Sequence, residues 1–285
     1  MTARRQEPAA DVTFLGVSTL LFDDGETAVL TDGFFSRPNV LQTLLGHVRP
    51  DPGRISAALA RAGIDRLAAV IVLHSHYDHA LDAATVATTT GADLLGSTST
   101  RNIAIGARFP LDRFSLVVIG RPVRYGRFTF TALRARHSRH DIAPGRIDEP
   151  LTTPARMTRF RTGECYSLHV AHDDGAVLVH ASANAVPGAL TGHRATTVYL
   201  GIGTLGKQED AFRDSYWRET VTAVHARHVV PIHWDDFTRS LDRPLRPLPR
   251  PLDDVPAALA WLRRRARAED VSLTMPVLWE PAPLG

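Results

Sequence analysis

The stretch that decides the fold is "VIVLHSHYDHAL", residues 70–81. Four apolar residues are followed by four residues of metal-ligating type, which are His74, His76, Asp78 and His79. A short continuous apolar run predicts a strand that is buried on both faces. Open α/β folds bind their ligands beyond the carboxyl ends of such strands. We therefore expect the four polar residues to lie at the ligand-binding edge of a sheet.

The spacing within this stretch indicates ligands for two neighbouring metal ions. His74 and His76 are two residues apart, so an extended backbone places both imidazoles on the same side. Asp78 and His79 then turn toward the helix that follows. Imidazole and carboxylate groups suit zinc, manganese or iron. The chain has 13 histidines, but four ligand-type residues in this order after a buried strand favour metal binding over a chance cluster.

Composition indicates an ordinary globular protein. Of the 285 residues, 44% are hydrophobic and 22% charged, which suits one α/β domain, and we assign 1–285 to it. The net charge of +3 does not indicate a nucleic-acid partner. A single cysteine, Cys165, excludes an intramolecular disulfide framework and favours a cytoplasmic location. The N-terminal "MTARRQEPAADVTF" lacks the apolar segment of a signal peptide, and no apolar run predicts a transmembrane segment.

Hydrophobic patterns predict alternating strands and helices along most of the chain. The strands are predicted near 12–22, 28–32, 68–73, 93–96, 115–119, 127–135, 164–171, 176–181 and 228–232. The helices are predicted near 54–64, 81–91, 209–226 and 254–268. Residues 138–162 differ, because they contain three prolines, five arginines and little periodicity. We predict that this segment is an irregular active-site loop.

The segment "HSHYDH" matches the H-x-H-x-D-H signature of the metallo-β-lactamase-fold hydrolases, and the chain resembles that superfamily over most of its length. "FLGVSTLLFDDGETAVLTDGFF" is similar to the opening hairpin of the family and contains Asp32. Two later segments, "RARHS" with His137 and "VVPIHWDDF" with His233, are similar to those that supply the family's remaining metal-binding histidines. The resemblance is strongest to the branch that contains L-ascorbate-6-phosphate lactonase and N-acyl-phosphatidylethanolamine phospholipase D. It implies an α/β fold, the four-layer αββα sandwich.

The resemblance also implies two sets of metal ligands. The first metal would be held by His74, His76 and His137. The second metal would be held by Asp78, His79 and His233. Asp32 would orient a ligand histidine from outside the coordination sphere. His140 is a rival to His137, which we prefer because it directly follows the strand "FTFTALRAR".

One departure from the family pattern concerns the aspartate that normally bridges both metals. The matching stretch "AVLVHASANAVPGAL", residues 176–190, has no acidic residue. Ser182 or Asn184 falls at the expected position, where a neutral side chain lacks the charge of a bridge. We therefore expect one tightly held ion and a weaker second one. Compensation by Asp235 or Asp236 is left open.

Hydrolysis is the chemistry that the resemblance implies, with a metal-activated water attacking an ester, lactone or phosphodiester bond. Asp78 is the candidate catalytic residue, which orients or deprotonates that water. Arg139, Arg161 and Asn184 are the candidate substrate-binding residues. The substrate is expected to be a small or lipid-like molecule.

Two alternatives remain open from the sequence. The missing bridge suggests a superfamily member without hydrolytic turnover that acts as a binding or assembly protein. A nuclease is the other alternative, although the chain shows no separate nucleic-acid-binding domain. Zn²⁺ is the expected metal, with Mn²⁺ or Fe²⁺ as substitutes, and a homo-oligomer is compatible with the sequence.

Overall fold

Two mixed seven-stranded sheets form the centre of the protein in the computed structural model, which describes residues 9–250 and 252–285. Residues 1–8, which begin the segment used for the signal-peptide prediction, lie outside the described residues. Among the described residues, no helix is long and apolar enough to cross a bilayer.

Each sheet combines antiparallel strands on one side with parallel strands on the other. The first sheet contains β1 (Asp11–Phe14), β2 (Leu20–Asp23), β3 (Ala28–Thr31), β4 (Ala69–Ile71), β5 (Asp93–Gly96), β6 (Phe114–Leu116) and β14 (Pro281–Pro283), in the order β14-β1-β2-β3-β4-β5-β6. The second contains β7 (Pro122–Tyr125), β8 (Phe128–Arg134), β9 (Tyr166–His172), β10 (Gly175–His180), β11 (Thr197–Gly201), β12 (His228–Ile232) and β13 (Ser272–Leu273), in the order β13-β12-β11-β10-β9-β8-β7.

Helices connect the strands on both sides. They are α1 (Val40–Leu44), α2 (Pro52–Arg61), α3 (Tyr77–Ala80), α4 (Ala83–Thr90), α5 (Thr98–Gly106), α6 (Asp210–Trp217) and α7 (Val255–Ala268). A π-helical turn, Arg218–Thr222, extends α6. Single turns of 3-10 helix occur at Leu111–Arg113, Met157–Arg159 and Leu205–Lys207.

Three apolar layers separate four layers of secondary structure. Within β4, Val70 packs into the layer under the helices of the first sheet, while Ile71 packs into the layer between the two sheets. Within β10, Val177 lies in the same central layer and Leu178 in the layer under the helices of the second sheet. This alternation follows from the period of two in a strand. It confirms the four-layer αββα sandwich.

Most predicted elements are present, with one clear correction at the start of the chain. The apolar run 12–22 forms two strands, β1 and β2, rather than one. The chain turns between them at Gly16 and Val17, which have φ of 96° and 52°. The sequence patterns do not predict the helices α1, α3 and α5 or the strands β7, β11, β13 and β14, because their sequences are short and weakly periodic.

The carboxyl ends of parallel strands place the site. In the first sheet β3, β4 and β5 run parallel, so the residues that follow them meet at one edge. In the second sheet β10, β11 and β12 run parallel, and His233 directly follows β12. The candidate site lies where these two edges meet.

Candidate metal centre

The histidine-rich motif follows β4 at this edge, as the buried strand predicts. The backbone N–H of Leu73 donates to Asp32 Oδ1 at 2.8 Å, which holds the end of the strand. His76 has extended φ and ψ of −62° and 155° and is the N-cap of α3. Asp78 and His79 lie within this short helix. The chain therefore changes direction between the second and third candidate ligands.

The first group of donors consists of His74, His76 and His137, with one ligand atom from each within 4.8 Å of the others. The ring centroids of His74 and His137 are 5.1 Å apart, and those of His76 and His137 are 4.5 Å apart. His74 is buried, and its Nε2 has no hydrogen-bond partner among the described residues. Burying a polar nitrogen without a partner costs free energy, and an ion at this position would remove that cost.

The second group consists of Asp78, His79 and His233. His79 Nε2 and His233 Nε2 are 3.2 Å apart. Asp78 Oδ2 lies 3.3 Å from His233 Nε2 and 3.5 Å from His79 Nε2. The three donor atoms therefore form a nearly regular triangle.

This triangle fits a tetrahedral ion. Zinc binds imidazole nitrogen and carboxylate oxygen at about 2.0–2.2 Å, so two ligands of a tetrahedral site lie about 3.3–3.6 Å apart. The observed separations of 3.2, 3.3 and 3.5 Å agree with that spacing. The donor set of two imidazoles and one carboxylate is also one that catalytic zinc sites use.

Asp32 fixes the orientation of one candidate ligand of the second group. Its Oδ2 lies 2.8 Å from His79 Nδ1, and the hydroxyl of Ser18 donates to the same oxygen at 2.6 Å. Asp32 and His79 are both fully buried. With Nδ1 engaged in this way, Nε2 of His79 is the nitrogen that faces the group.

His233 is held in an uncommon backbone conformation. Its φ is 55°, a left-handed value that non-glycine residues adopt mainly where the surroundings enforce it. Its N–H donates to Val17 O at 2.7 Å. A Cβ on Gly203 would lie 3.0 Å from His233 Nδ1, so the absence of a side chain there lets the backbone approach the ring. Tertiary contacts thus position the imidazole.

The protonation states of His74, His137 and Asp78 suit metal ligands. Burial lowers the pKa of His74 well below its usual value, and it lowers the pKa of His137 to about 4. Burial would raise the pKa of Asp78, but His79 and His233 hold it far below its usual value. Asp78 in turn raises the pKa of His233 against the opposing effect of burial. At neutral pH, His74 and His137 are therefore neutral and Asp78 is ionised, as metal binding requires.

The structure places His137, not its rival His140, in the first group. His140 is exposed and has a φ of 63°. His137 follows β8 by three residues, at the same edge as the motif.

Residues 176–190, which lack the bridging aspartate, contact the backbone around His137 through Asn184. Asn184 Nδ2 donates to the carbonyl of His137 at 2.8 Å, and its Oδ1 accepts from the N–H of Ala185 at 2.9 Å. His180 Nε2 lies 2.7 Å from the carbonyl of Asn184. Both polar atoms of the Asn184 amide therefore contact backbone, and its predicted contact with substrate stays a prediction. Ser182 is buried near it.

Asp235 and Asp236, which we considered as replacements for the bridge, lie outside both donor groups. Asp235 forms an ion pair with Arg37 at 2.7 Å, and both side chains are fully buried. Asp236 Oδ1 accepts from the hydroxyl of Thr238 at 2.7 Å.

The irregular loop 138–162 lies beside the first group, but its two candidate substrate-binding arginines are exposed. The guanidinium of Arg139 lies 4.2 Å from the ring centroid of Phe212. Arg161 lies near Gly145 of the same loop. Their predicted contact with an anionic substrate stays a prediction.

Sequence reasoning missed two polar residues at the first group, Asp141 and Thr162. Asp141 Oδ1 lies 3.2 Å from His76 Nε2, and Thr162 Oγ1 lies 3.1 Å from the same nitrogen. Both lie in the irregular loop, which has no periodicity from which to infer their orientation. The only available signal was the short distance in sequence between Asp141 and His137.

Comparison with known proteins gives one matching family model and a set of similar folds. The sequence model of the metallo-beta-lactamase superfamily matches residues 12–146, which include Asp32 and the histidine-rich motif. No curated protein sequence matches the chain.

Three solved structures illustrate the similarity in fold. Igni18, described as a novel metallo hydrolase from Ignicoccus hospitalis KIN4/I, is 14% identical with a TM-score of 0.59, over 96% of this chain and 97% of that one. A possible metal-dependent hydrolase from Veillonella parvula is 15% identical with a TM-score of 0.58, over 97% of this chain and all 100% of that one. CmlA, a diiron β-hydroxylase from Streptomyces venezuelae, is 14% identical with a TM-score of 0.59, over 99% of this chain and 55% of that one. At these identities the likeness shows the fold, and the narrower lactonase and phospholipase D branch stays a prediction.

Proposed function

We propose, because the sequence model of the metallo-beta-lactamase superfamily matches residues 12–146, that this protein is a metal-dependent hydrolase acting on an ester, lactone or phosphodiester bond. The observation that carries the proposal is the triangle of donor atoms from Asp78, His79 and His233, with sides of 3.2, 3.3 and 3.5 Å. The neighbouring group of three histidines supports it, because together the groups offer places for two ions.

The chemistry divides between the ions and the side chains. Ions bound at such sites act as Lewis acids and lower the pKa of water toward neutrality. Asp78 contributes a negative charge and a ligand oxygen, and it is also the residue proposed to orient the attacking water. Asp32 keeps His79 in one tautomer and one orientation.

Zn²⁺ is the metal that we propose first, because its ligand spacing matches the second group. Mn²⁺ and Fe²⁺ also accept imidazole and carboxylate ligands. A cytoplasmic location, a small or lipid-like substrate and the oligomeric state stay predictions.

The test of this function combines metal analysis with a substrate panel. After gentle dialysis we expect nearer one ion per chain than two, because stretch 176–190 supplies no bridging carboxylate. We also expect the metal-loaded protein to hydrolyse at least one of an ester, a lactone or a phosphodiester. Full metal loading without turnover on any of them would favour the binding or assembly protein. Cleavage of nucleic acid alone would favour the nuclease.

An arginine-rich cavity near the second group supports a substrate with an anionic part. Its volume is 840 Å³, and it is lined by Asp236 and Thr238 on either side of Phe237 in sequence. The ring of Phe237 lies 6.2 Å from the ring of His233, measured between centroids. Five arginines line the cavity, namely Arg37, Arg54, Arg61, Arg239 and Arg243. Arg37 is paired with Asp235, but the other four arginines still outnumber the two aspartates of the lining, so the cavity favours an anion.

The same cavity also has apolar walls. Val40 and Leu41 of α1 line it and are 53% and 67% exposed. Trp279, close to the C-terminus, also lines the cavity. The guanidinium of Arg61 lies 4.7 Å from the centroid of its ring. We propose that the substrate combines an anionic group with an apolar part.

Arg239→Ala should weaken binding of an anionic substrate. Arg239 lines the cavity, and its buried Nε has no hydrogen-bond partner among the described residues; we propose that its guanidinium binds the anionic group. A charge-assisted hydrogen bond contributes about 1.5–3 kcal/mol, which corresponds to a rise in KM of at least about tenfold. A neutral substrate of the same shape should show little change.

One arginine serves as a matched control, and two others test the rival site. Arg264→Ala, on the exposed surface of α7, should change neither KM. Arg139→Ala and Arg161→Ala test the loop that the sequence favoured. Selective loss in these two variants, with none in Arg239→Ala, would move the anion site from the cavity to the loop.

A further inference from the structure

Asp141 is the only carboxylate of the loop 138–162 for which the structure records contacts with ligands of the first group. Its Oδ1 lies 3.2 Å from His76 Nε2, and its Oδ2 lies 3.6 Å from His137 Nδ1. The side chain is mostly buried, with 19% of its surface exposed. It therefore contacts two of the three histidines at once.

Both ends of the loop hold this carboxylate in place. The backbone N–H of Ala143 donates to Asp141 Oδ1 at 2.9 Å, and the hydroxyl of Thr162 donates to its Oδ2. Thr162 is itself anchored to the motif, because its carbonyl accepts from the N–H of Ser75 at 2.9 Å. The position of Asp141 is thus fixed relative to the end of β4.

The contacts of each ring identify the nitrogen that remains for an ion. His76 Nε2 lies within 3.3 Å of three oxygens, from Asp141, Thr162 and Ala143. Such a nitrogen carries the proton and donates it, so Nδ1 of His76 is the nitrogen left for an ion. His137 Nδ1 lies 3.1 Å from the carbonyl of Ser138, which by the same reasoning leaves its Nε2.

Asp141 therefore lies behind the ligand rings rather than among the ligand atoms. Asp32 has the corresponding place in the second group, 2.8 Å from His79 Nδ1. Carboxylates in this position fix the tautomer of a ligand histidine and raise its basicity. Each donor group of this protein thus has one outer carboxylate.

We propose that Asp141 is the positioning residue of the first metal group, and that its charge offsets part of what the missing bridge would supply. This inference depends on the proposed metal centre. Among the six donors, Asp78 is the only charged group, so two divalent ions would face a single negative ligand charge. Asp141 adds a second negative charge, which the imidazole ring of His76 separates from the first ion.

The experiment measures Zn²⁺ affinity by competition with a chromophoric chelator, starting from metal-free protein. It is run with the wild type and with a His233→Ala background, in which only the first group keeps its three side chains. Asp141→Ala should weaken binding by about 10–100-fold in both, and it should alter the visible absorption of bound Co²⁺. Asp148→Ala removes the same charge from an exposed position of the same loop and should change neither.

Asp141→Asn separates orientation from charge. Its amide oxygen still accepts from His76 but carries no charge, so its affinity should fall between those of the wild type and Asp141→Ala. If circular dichroism shows that Asp141→Ala is unfolded, this second variant decides the question. Wild-type affinity and an unchanged Co²⁺ spectrum in Asp141→Asn, or in folded Asp141→Ala, would overturn the inference. A wild type that takes up no ion would instead refute the proposed metal centre.

Discussion

His74→Ala should lose the ion of the first group and more than about a hundred-fold of the hydrolytic rate, while the metal-free protein stays folded. Replacing an outer partner of a metal ligand already costs 10–100-fold in affinity or activity, so removing a ligand should cost more. His74 Nε2 has no hydrogen-bond partner among the described residues. Its removal therefore breaks no hydrogen bond of that nitrogen in the metal-free protein.

The measurement pairs elemental analysis with hydrolysis of whichever substrate the panel identifies. His140→Ala is the control, because His140 is exposed and only three residues beyond His137 in sequence. It should keep both metal and rate. Full retention of metal and rate by His74→Ala would refute the assignment of the first group. Loss of metal and rate in His140→Ala would assign the third position of that group to His140 instead of His137.

The parts of the site that the sequence predicted are those set by local order along the chain. The motif from His74 to His79 follows a buried strand directly, so its position at the sheet edge follows from β4 alone. His137 and His233 were found in the same way, each shortly after a strand of the second sheet. Together with the family resemblance, these positions were enough to predict both donor groups and the four-layer sandwich.

The parts that could not be predicted depend on irregular backbone or on long-range contacts. Asp141 faces His76 because of the path of a loop without periodicity. Ser18 contacts Asp32 and His79 because a turn interrupts an apolar run whose pattern predicts one strand. The arginine-lined cavity assembles residues from distant parts of the chain, so sequence order does not indicate it, and the contact of Arg139 and Arg161 with substrate stays a prediction.

The Arg37–Asp235 ion pair is a further long-range contact of this kind. The two residues are 198 positions apart, their charged atoms are 2.7 Å apart, and both side chains are fully buried. Asp235 Oδ1 also accepts from the N–H of Val17 at 2.9 Å. Because Val17 O accepts from the N–H of His233, the pair is linked to the backbone that carries a candidate ligand.

Asp235→Ala should lower the free energy of unfolding of the metal-free protein by about 3–5 kcal/mol, because it leaves the Arg37 guanidinium buried without its counter-charge. Urea denaturation measures the change. Asp242→Ala, which removes an exposed aspartate of the same segment, should change it by less than about 0.5 kcal/mol. The double variant Arg37→Met/Asp235→Leu should lose less than the single one, because it removes both charges together.

Using metal-free protein separates this role from the bridging role that we first considered for Asp235. A metal ligand stabilises the protein only through the ion it binds, so loss of a ligand would leave the metal-free unfolding curve nearly unchanged and would lower the metal content. An ion-pair partner gives the opposite result, a large loss of stability with no ion present. A change below about 1 kcal/mol in the metal-free Asp235→Ala protein, combined with loss of the second ion, would therefore assign Asp235 to the metal centre. The expected loss of about 3–5 kcal/mol would assign it to the framework that holds His233.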